Sequence, residues 1–261
     1  MNIKKIDFSK FSSIKIGKIL DVFIIEDSTI ELPDAYLIGS CNNILIGTQP
    51  PPLMILSKKY DYIKIEENLL KIGGATPSGK IASFCKKNNI ANFEFISHLP
   101  GTLGGIVKMN AGVKEHEIFN NLVCVNLYGK IKQKNEIDFG YRYTDINAPA
   151  LEASFVLEYG YDKQKVQRFE EMRQNQPRLP SAGSCFKNPK NDYAGRLIEA
   201  VGLKGKRVGG MEFSQEHANF LVNVGGGLYE DAIYLIKEAQ KRVSEKFDIS
   251  LECEIVILNR D

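Results

Sequence analysis

The chain has 261 residues, of which 43% are hydrophobic and 25% charged, and a formal net charge of +2. That is the composition of an ordinary globular protein, and so small a charge gives no electrostatic footing for a nucleic-acid partner. No apolar run approaches the ~18 residues that span a bilayer, which argues against a membrane partner, and the opening "MNIKKIDFSKF" lacks the apolar core of a secretory signal.

The length exceeds that of a usual single domain, so two or three lobes are expected. Cysteines at 41, 85, 124, 185 and 253 form no CxxC pair, and His98, His116 and His217 are not at metal-ligand spacing, so no metal site is expected. Scattered cysteines in odd number suit a reducing, cytoplasmic setting.

In chain order, "AYLIGSCNNILIG" places apolar runs on either side of Gly39 to Asn43, and "LMILS", "YIKIE" and "LLKIG" follow as strands. Thr76-Pro77 starts a helix with Ile81, Phe84 and Cys85 on one face. A short helix follows "PGTLGG", then strands in "LVCVNLYGKIKQ" and "ASFVLEY". Residues 162–175 read as a charged helix stopped by Pro177 and Pro180, a bridge into a last lobe. There "DYAGRLIEAVGL" reads as a helix ending at Gly202 and "ANFLVNV" as a strand. "YEDAIYLIKEAQKRVSEKF" carries Ala232, Ile236, Ala239, Val243 and Phe247 at helical spacing, and "LECEIVIL" closes the chain as a strand. The layout is α+β, without the regular strand–helix alternation of a doubly wound sheet.

Two glycine-rich segments stand out: Gly39-Ser40-Cys41-Asn42-Asn43, and Pro100-Gly101-Thr102-Leu103-Gly104-Gly105 running on to Asn110-Ala111-Gly112. Glycine lets a backbone approach a ligand closely, and successive N–H groups make an anion nest. Taken singly each reads as a strand turn or a helix start; together they favour a flavin dinucleotide. Neither matches a Rossmann or P-loop signature. In "FGYRYTD", Arg142 between two tyrosines is either a surface arginine stacked on a ring or a carboxylate clamp. In "PSAGSCFKNP", Gly, Ser, Asn and Pro are turn residues, so the segment is expected to be a loop, either plain surface or a tightly held support for Ser184. Read as a strand, "LECEIVIL" sets Glu252 and Glu254 on one face with Val256 and Leu258, roughly 6–7 Å apart. A carboxyl on a half-covered face can keep its proton, as a general acid must.

These segments, in this order, resemble the UDP-N-acetylenolpyruvoylglucosamine reductase family, the flavoenzymes that complete UDP-N-acetylmuramate for peptidoglycan. The resemblance lies in "LIGSCNNILI", "LPGTLGGIVKMNAG", Tyr141-Arg142, "GSCFKNP" and "LECEI", and runs nearly the whole chain. Two departures are Ser-Cys-Asn where the family more often has Gly-Gly-Ser, and His98 where a glycine is usual. The short stretch from Arg142 to Ser184 resembles the compact second type, which lacks a loop carrying a substrate-capping tyrosine.

The resemblance implies a two-lobed FAD-binding fold of the vanillyl-alcohol-oxidase (PCMH) type at 1–55 and 56–165. A substrate-binding domain would follow at 166–261, its last strand returning toward the flavin. It implies noncovalent FAD, held by the two glycine-rich segments, and NADPH as hydride donor. The substrate is UDP-N-acetylglucosamine enolpyruvate, with Arg142 and Glu254 stabilising the developing enolate and Ser184 giving a proton to the adjacent carbon. Tyr141, Asn188 and Arg178 are expected to meet the substrate, while Lys187 is either a ligand or a surface charge. The alternatives are another FAD-dependent oxidoreductase of the same fold and a sugar-nucleotide-binding protein without catalysis. The first would lack "GSCFKNP" and the terminal glutamate; the second would have lost Ser184, Arg142 or Glu254.

Overall fold

A computed structural model of the chain describes residues 2–29 and 31–260. The chain divides into two compact units. The first is built mainly from Val22–Ser40 and Leu53–Gln174, the second from Lys5–Asp21, Cys41–Pro52 and the chain from Asn175 onward.

In the first unit the short apolar runs become strands. Strand Leu53–Leu56 is flanked in parallel by Val22–Ile25 on one side and by Tyr36–Ile38 on the other. A larger antiparallel sheet follows in the order Lys130–Gln133, Leu122–Leu127, Ala150–Val156, Leu69–Gly73, Ile63–Glu66. Period-two alternation sends Leu70 and Ile72, Val125 and Leu127, and Ala153 and Phe155 into the core. The helix Ser78–Lys87, with Pro77 just before it, buries Ile81 and Cys85 in that core and leaves Phe84 partly buried. The shorter helix Leu103–Lys108 buries Leu103, Ile106 and Val107. Phe93 meets Phe155 edge-on at 5.3 Å, a favoured aromatic geometry. The charged helix at 162–175 is regular over Lys163–Glu171, where the Asp162 side chain accepts from the Gln164 N–H and only Phe169 is buried.

The second unit holds a four-stranded antiparallel sheet, ordered Ser181–Ser184, Phe220–Asn223, Met211–Phe213, Arg207–Val208. The helix Tyr229–Phe247 buries Ala232, Leu235, Ile236, Ala239 and Val243, spaced three or four apart as one helical face requires. It joins the helix Ala194–Ala200 over a core that includes Phe186 and Phe213. Strand Val256–Leu258 runs parallel to Ile44–Ile46.

Three local expectations are corrected. The strand turn read at Gly39 to Asn43 joins Tyr36–Ile38 and Ile44–Ile46, which belong to different sheets, because the chain passes from the first unit to the second between Ser40 and Cys41. Ser181–Ser184 is not loop but an edge strand paired with Phe220–Asn223. Its partner lies far along the chain, and Gly183 at φ +82 breaks the alternation that would have announced a strand. "LECEIVIL" is regular strand only over Val256–Leu258. Upstream, the N–H groups of Glu254 and Ile255 both point to the Cys185 carbonyl, at 2.9 and 3.4 Å. Two residues thus oppose one, as in a bulge, and the alternation slips. Leu251, Ile255 and Leu258 are the residues buried there.

Candidate active site

In the second unit the predicted segments meet around the backbone of Cys185. Its carbonyl accepts from the Glu254 N–H at 2.9 Å, and Phe186 bridges to Cys253. Asn43 closes the other side: its Nδ2 donates to the Glu254 carbonyl at 2.9 Å, and its own carbonyl accepts from the Val256 N–H at 2.9 Å. Gly183 lies beside Asn42, whose carbonyl would stand 4.0 Å from a Cβ placed there. Ser184 and Glu254, both half-buried, therefore sit on neighbouring backbone held by the Cys41 to Asn43 segment. Cys41 itself is buried in a left-handed conformation at φ 51, and burial pushes its thiol up to about 12. Glu252, by contrast, is exposed and ion-paired with Lys187, so the bulge separates the fates of the two carboxylates and Lys187 is engaged as a surface charge.

Sequence reasoning missed the residue that fixes this loop. Asn219, 3% exposed, accepts from the Phe186 N–H at 3.0 Å and donates to the Phe186 carbonyl at 2.8 Å. Its backbone carbonyl also takes the Cys185 N–H, at 2.6 Å. The signal was present in "ANFLVNV", where an asparagine at the start of a buried strand needs partners of its own.

In the first unit, Thr102 bridges Pro77, and the N–H groups of Leu103 and Gly104 donate to Thr76 and Gly74 carbonyls at 2.9 and 2.8 Å. A Cβ on Gly39 would meet Thr102 Oγ1 at 2.8 Å, so Gly39 and Ser40 belong to the same surface as Pro100 to Gly105. The stretch Gly73 to Thr76 joins them there, and the pair Gly73-Gly74 was its unread signal: a Cβ on Gly74 would stand 1.8 Å from the Ala150 carbonyl. Asn110, fully buried at φ 41, donates to Glu117 Oε2 at 2.8 Å and to the Gly140 carbonyl at 3.1 Å. Gly112 is tight against His116, and its carbonyl accepts from Arg142 Nη2 at 3.1 Å.

Tyr141 and Arg142 form the two-residue tip of the hairpin joining Phe139–Gly140 to Tyr143–Thr144. Arg142 takes φ 57, a conformation costly for a side chain of this size and typical of sites where position matters more than strain. Its guanidinium lies 4.9 Å from the centre of the exposed Tyr141 ring. The ring-stacked reading of this arginine thus has a structural counterpart, and its side chain is half-buried.

Asn188 is exposed and its Oδ1 accepts from the Ala194 N–H at 3.1 Å, tying the loop to the following helix; Arg178 is exposed. His98 Nε2 donates to the Val166 carbonyl at 3.2 Å. Among the described residues no group of three or more His, Cys, Asp or Glu is placed to hold a metal ion, and no helix is long and apolar enough to cross a membrane.

Comparison with known proteins agrees with this arrangement. Residues 175–258 match the model of the UDP-N-acetylenolpyruvoylglucosamine reductase C-terminal domain, which begins where the second unit resumes at Asn175. The chain is 45% identical to the UDP-N-acetylenolpyruvoylglucosamine reductase of Helicobacter hepaticus, over 97% of this chain and 98% of that protein. The reductase of Campylobacter jejuni strain RM1221 is equally similar, at 45% over 97% of this chain and 99% of its own. The crystal structure of the reductase (MurB) from Thermus caldophilus superposes with a TM-score of 0.83 at 26% identity, covering 99% of both chains, which agrees with the expected α+β class. Full-length identity at this level and a shared fold place the chain in the UDP-N-acetylenolpyruvoylglucosamine reductase family, and it is an oxidoreductase.

Proposed function

We propose that the chain reduces UDP-N-acetylglucosamine enolpyruvate to UDP-N-acetylmuramate in the cytoplasm, using NADPH and noncovalently bound FAD. A flavin follows from the family, and the first unit fits one. Gly101 takes φ +133, and a Cβ at Gly101 or Gly105 would have a single atom near it, at 3.9 Å, so this backbone is open to close approach. A lysine-free, glycine-lined cradle of this kind suits a dinucleotide diphosphate. That His98 Nε2 is engaged with a backbone carbonyl supports noncovalent binding. Residues 1–55 and 56–165 would serve the flavin and 166–261 the sugar nucleotide, with Tyr141, Asn188 and Arg178 toward the latter.

When bound, the flavin supplies a two-electron carrier between NADPH and the enolpyruvyl double bond. The net change adds one hydride and one proton across that bond. The chain's own part is to hold the carboxylate and to move the proton. Arg142 offers a planar two-pronged fork to the carboxylate, and Glu254 hydrogen-bonds where negative charge grows. Ser184 Oγ hands a proton to the carbon next to the carboxylate. A hydroxyl is a weak acid, but a carbanion-like centre is basic enough to take its proton when the donor is fixed in reach.

The observation that carries this reading is the convergence on Cys185, where the Glu254 N–H donates to the carbonyl of the residue after Ser184 and Asn43 holds the backbone of Glu254 and Val256. Ser184→Ala tests it. Flavin reduction by NADPH should stay within a few fold of normal, while flavin reoxidation by the enolpyruvyl nucleotide should slow by roughly 10²–10⁴. Ser184→Cys should recover part of the loss. Equal slowing of both steps in stopped-flow absorbance would make the serine structural.

A further inference from the structure

The hairpin that carries Tyr141 and Arg142 is short: Phe139 pairs with Thr144, and Gly140 with Tyr143. Two such pairs are too few to hold a hairpin by themselves, so bonds to other segments decide where its tip stands. The segment Lys108 to Gly112 makes such bonds at every second residue. The Lys108 carbonyl accepts from Thr144 Oγ1 at 2.7 Å, and Lys108 Nζ donates to the Ile146 carbonyl at 2.6 Å. Asn110 Nδ2 donates to the Gly140 carbonyl at 3.1 Å, and the Gly112 carbonyl accepts from Arg142 Nη2 at 3.1 Å.

Asn110 stands at the centre of this set. It is 0% exposed, so a molecule arriving at the surface does not meet its side chain. Its Nδ2 also donates to Glu117 Oε2 at 2.8 Å, and its Oδ1 accepts from the Phe119 N–H at 3.3 Å. Both partners lead back to the arginine. Glu117 pairs with Gly112, whose carbonyl takes the Arg142 guanidinium, and the Phe119 ring packs on Phe139 at the foot of the hairpin, centres 4.5 Å apart. The backbone at Asn110 is left-handed, φ 41, which asparagine bears better than most residues. Strain kept at a buried residue whose amide joins three segments marks a place where geometry is being held.

We propose that Asn110 is a positioning residue for Arg142. It ties the hairpin at Gly140 to Glu117 and Phe119, and so aims the guanidinium at the enolpyruvyl carboxylate; its side chain is not a ligand of the flavin. This rests on the role given to Arg142 above. A shift of about 1 Å in a positioned group can cost about 10²-fold in rate, so the bond to Gly140 matters to turnover beyond its share of stability.

The test uses the flavin-loaded enzyme and separates the bond to Gly140 from the others. Asn110→Asp removes the amide donors and sets a carboxylate against Glu117. Adding Glu117→Gln lets the introduced amide donate to the introduced carboxylate, which also still accepts from the Phe119 N–H; two N–H donors favour its ionised form. The donation to the Gly140 carbonyl is then what stays lost. Tm should therefore fall in Asn110→Asp and recover in part in the double variant, while function does not. In the double variant the Kd of the enolpyruvyl nucleotide, by titration calorimetry, should rise about fivefold or more, and flavin reoxidation should slow about tenfold more than flavin reduction. In an Arg142→Lys background the same two changes should weaken nucleotide binding by less than about twofold, because the group they aim is already impaired. Asn110→Gly, relaxed at a positive φ, removes the amide altogether and should give the same split if the double variant does not fold.

Faster loss of FAD from these variants would make Asn110 a cofactor ligand and overturn the proposal. So would equal slowing of both half-reactions, nucleotide binding that recovers together with Tm when Glu117→Gln is added, or an undiminished effect in the Arg142→Lys background. Failure of the underlying reading looks different: Arg142→Lys alone would then leave nucleotide binding and flavin reoxidation near normal. If Arg142→Lys abolishes reoxidation and the Asn110 variants change neither Kd nor rate, only the positioning role is wrong.

Discussion

Removing the Asn219 side chain should be among the most damaging single changes to the site that leave its proposed chemical groups in place. Asn219→Ala deletes two hydrogen bonds, from the Phe186 N–H at 3.0 Å and to the Phe186 carbonyl at 2.8 Å. Phe186 is 0% exposed and Asn219 3%, so water does not replace them without opening the core. A buried backbone group left unpaired costs about 1–3 kcal/mol, so the pair costs about 2–6 kcal/mol. For a chain of this size each kcal/mol lowers Tm by about 2–4 °C, which gives a fall between about 4 and 24 °C. Function should follow, because Ser184 lies two residues upstream of the freed backbone: flavin reoxidation should slow more than flavin reduction. Calorimetry reads the stability, and hydrogen exchange reads the Phe186 amide directly. A Tm drop under about 2 °C with that amide still protected would refute the assignment of Asn219 as the clamp.

Two further outcomes follow from the titrating groups. His217 Nδ1 accepts from the Asn219 N–H at 3.2 Å, and burial, with Lys204 adding to it, lowers the imidazole pKa below its ordinary 6.5. The folded chain then binds this proton less readily than the unfolded one. The contribution to stability is whole above about pH 6.5 and is lost as pH falls below it. His217→Asn keeps an acceptor without titrating, so its Tm should fall less between pH 7 and pH 5; parallel curves would exclude His217 as the cause. Among the cysteines, Cys41 and Cys85 are buried with thiols pushed up to about 12, Cys185 is buried and raised, and half-buried Cys253 is raised as well. Iodoacetamide at neutral pH should therefore label half-buried Cys124 first, and peptide mapping that found Cys41 ahead of it would contradict the burial described above.

Sequence alone was sufficient wherever the deciding forces are local. Helical spacing in "YEDAIYLIKEAQKRVSEKF" marked four of the five residues buried by Tyr229–Phe247, missing Leu235, because a 3.6-residue period is written into the chain itself. Glycines at 39, 74, 101 and 112 stand where a side chain would collide or where φ turns positive, and the segments around 39, 101 and 112 were visible as candidate cradles for the same reason. What the tertiary structure decided are the pairings between distant segments. Nothing near "PSAGSCFKNP" says that it will lie along Phe220–Asn223, and nothing near "LECEI" says that Glu254 and Ile255 will share one carbonyl. Those bonds form between residues tens of positions apart, so the rest of the core sets their register, and the bulge at Glu254 and Ile255 gives two carboxylates of one strand pattern different surroundings. That is why Glu252 ends as a surface partner of Lys187 while Glu254, two residues on, is held beside Ser184.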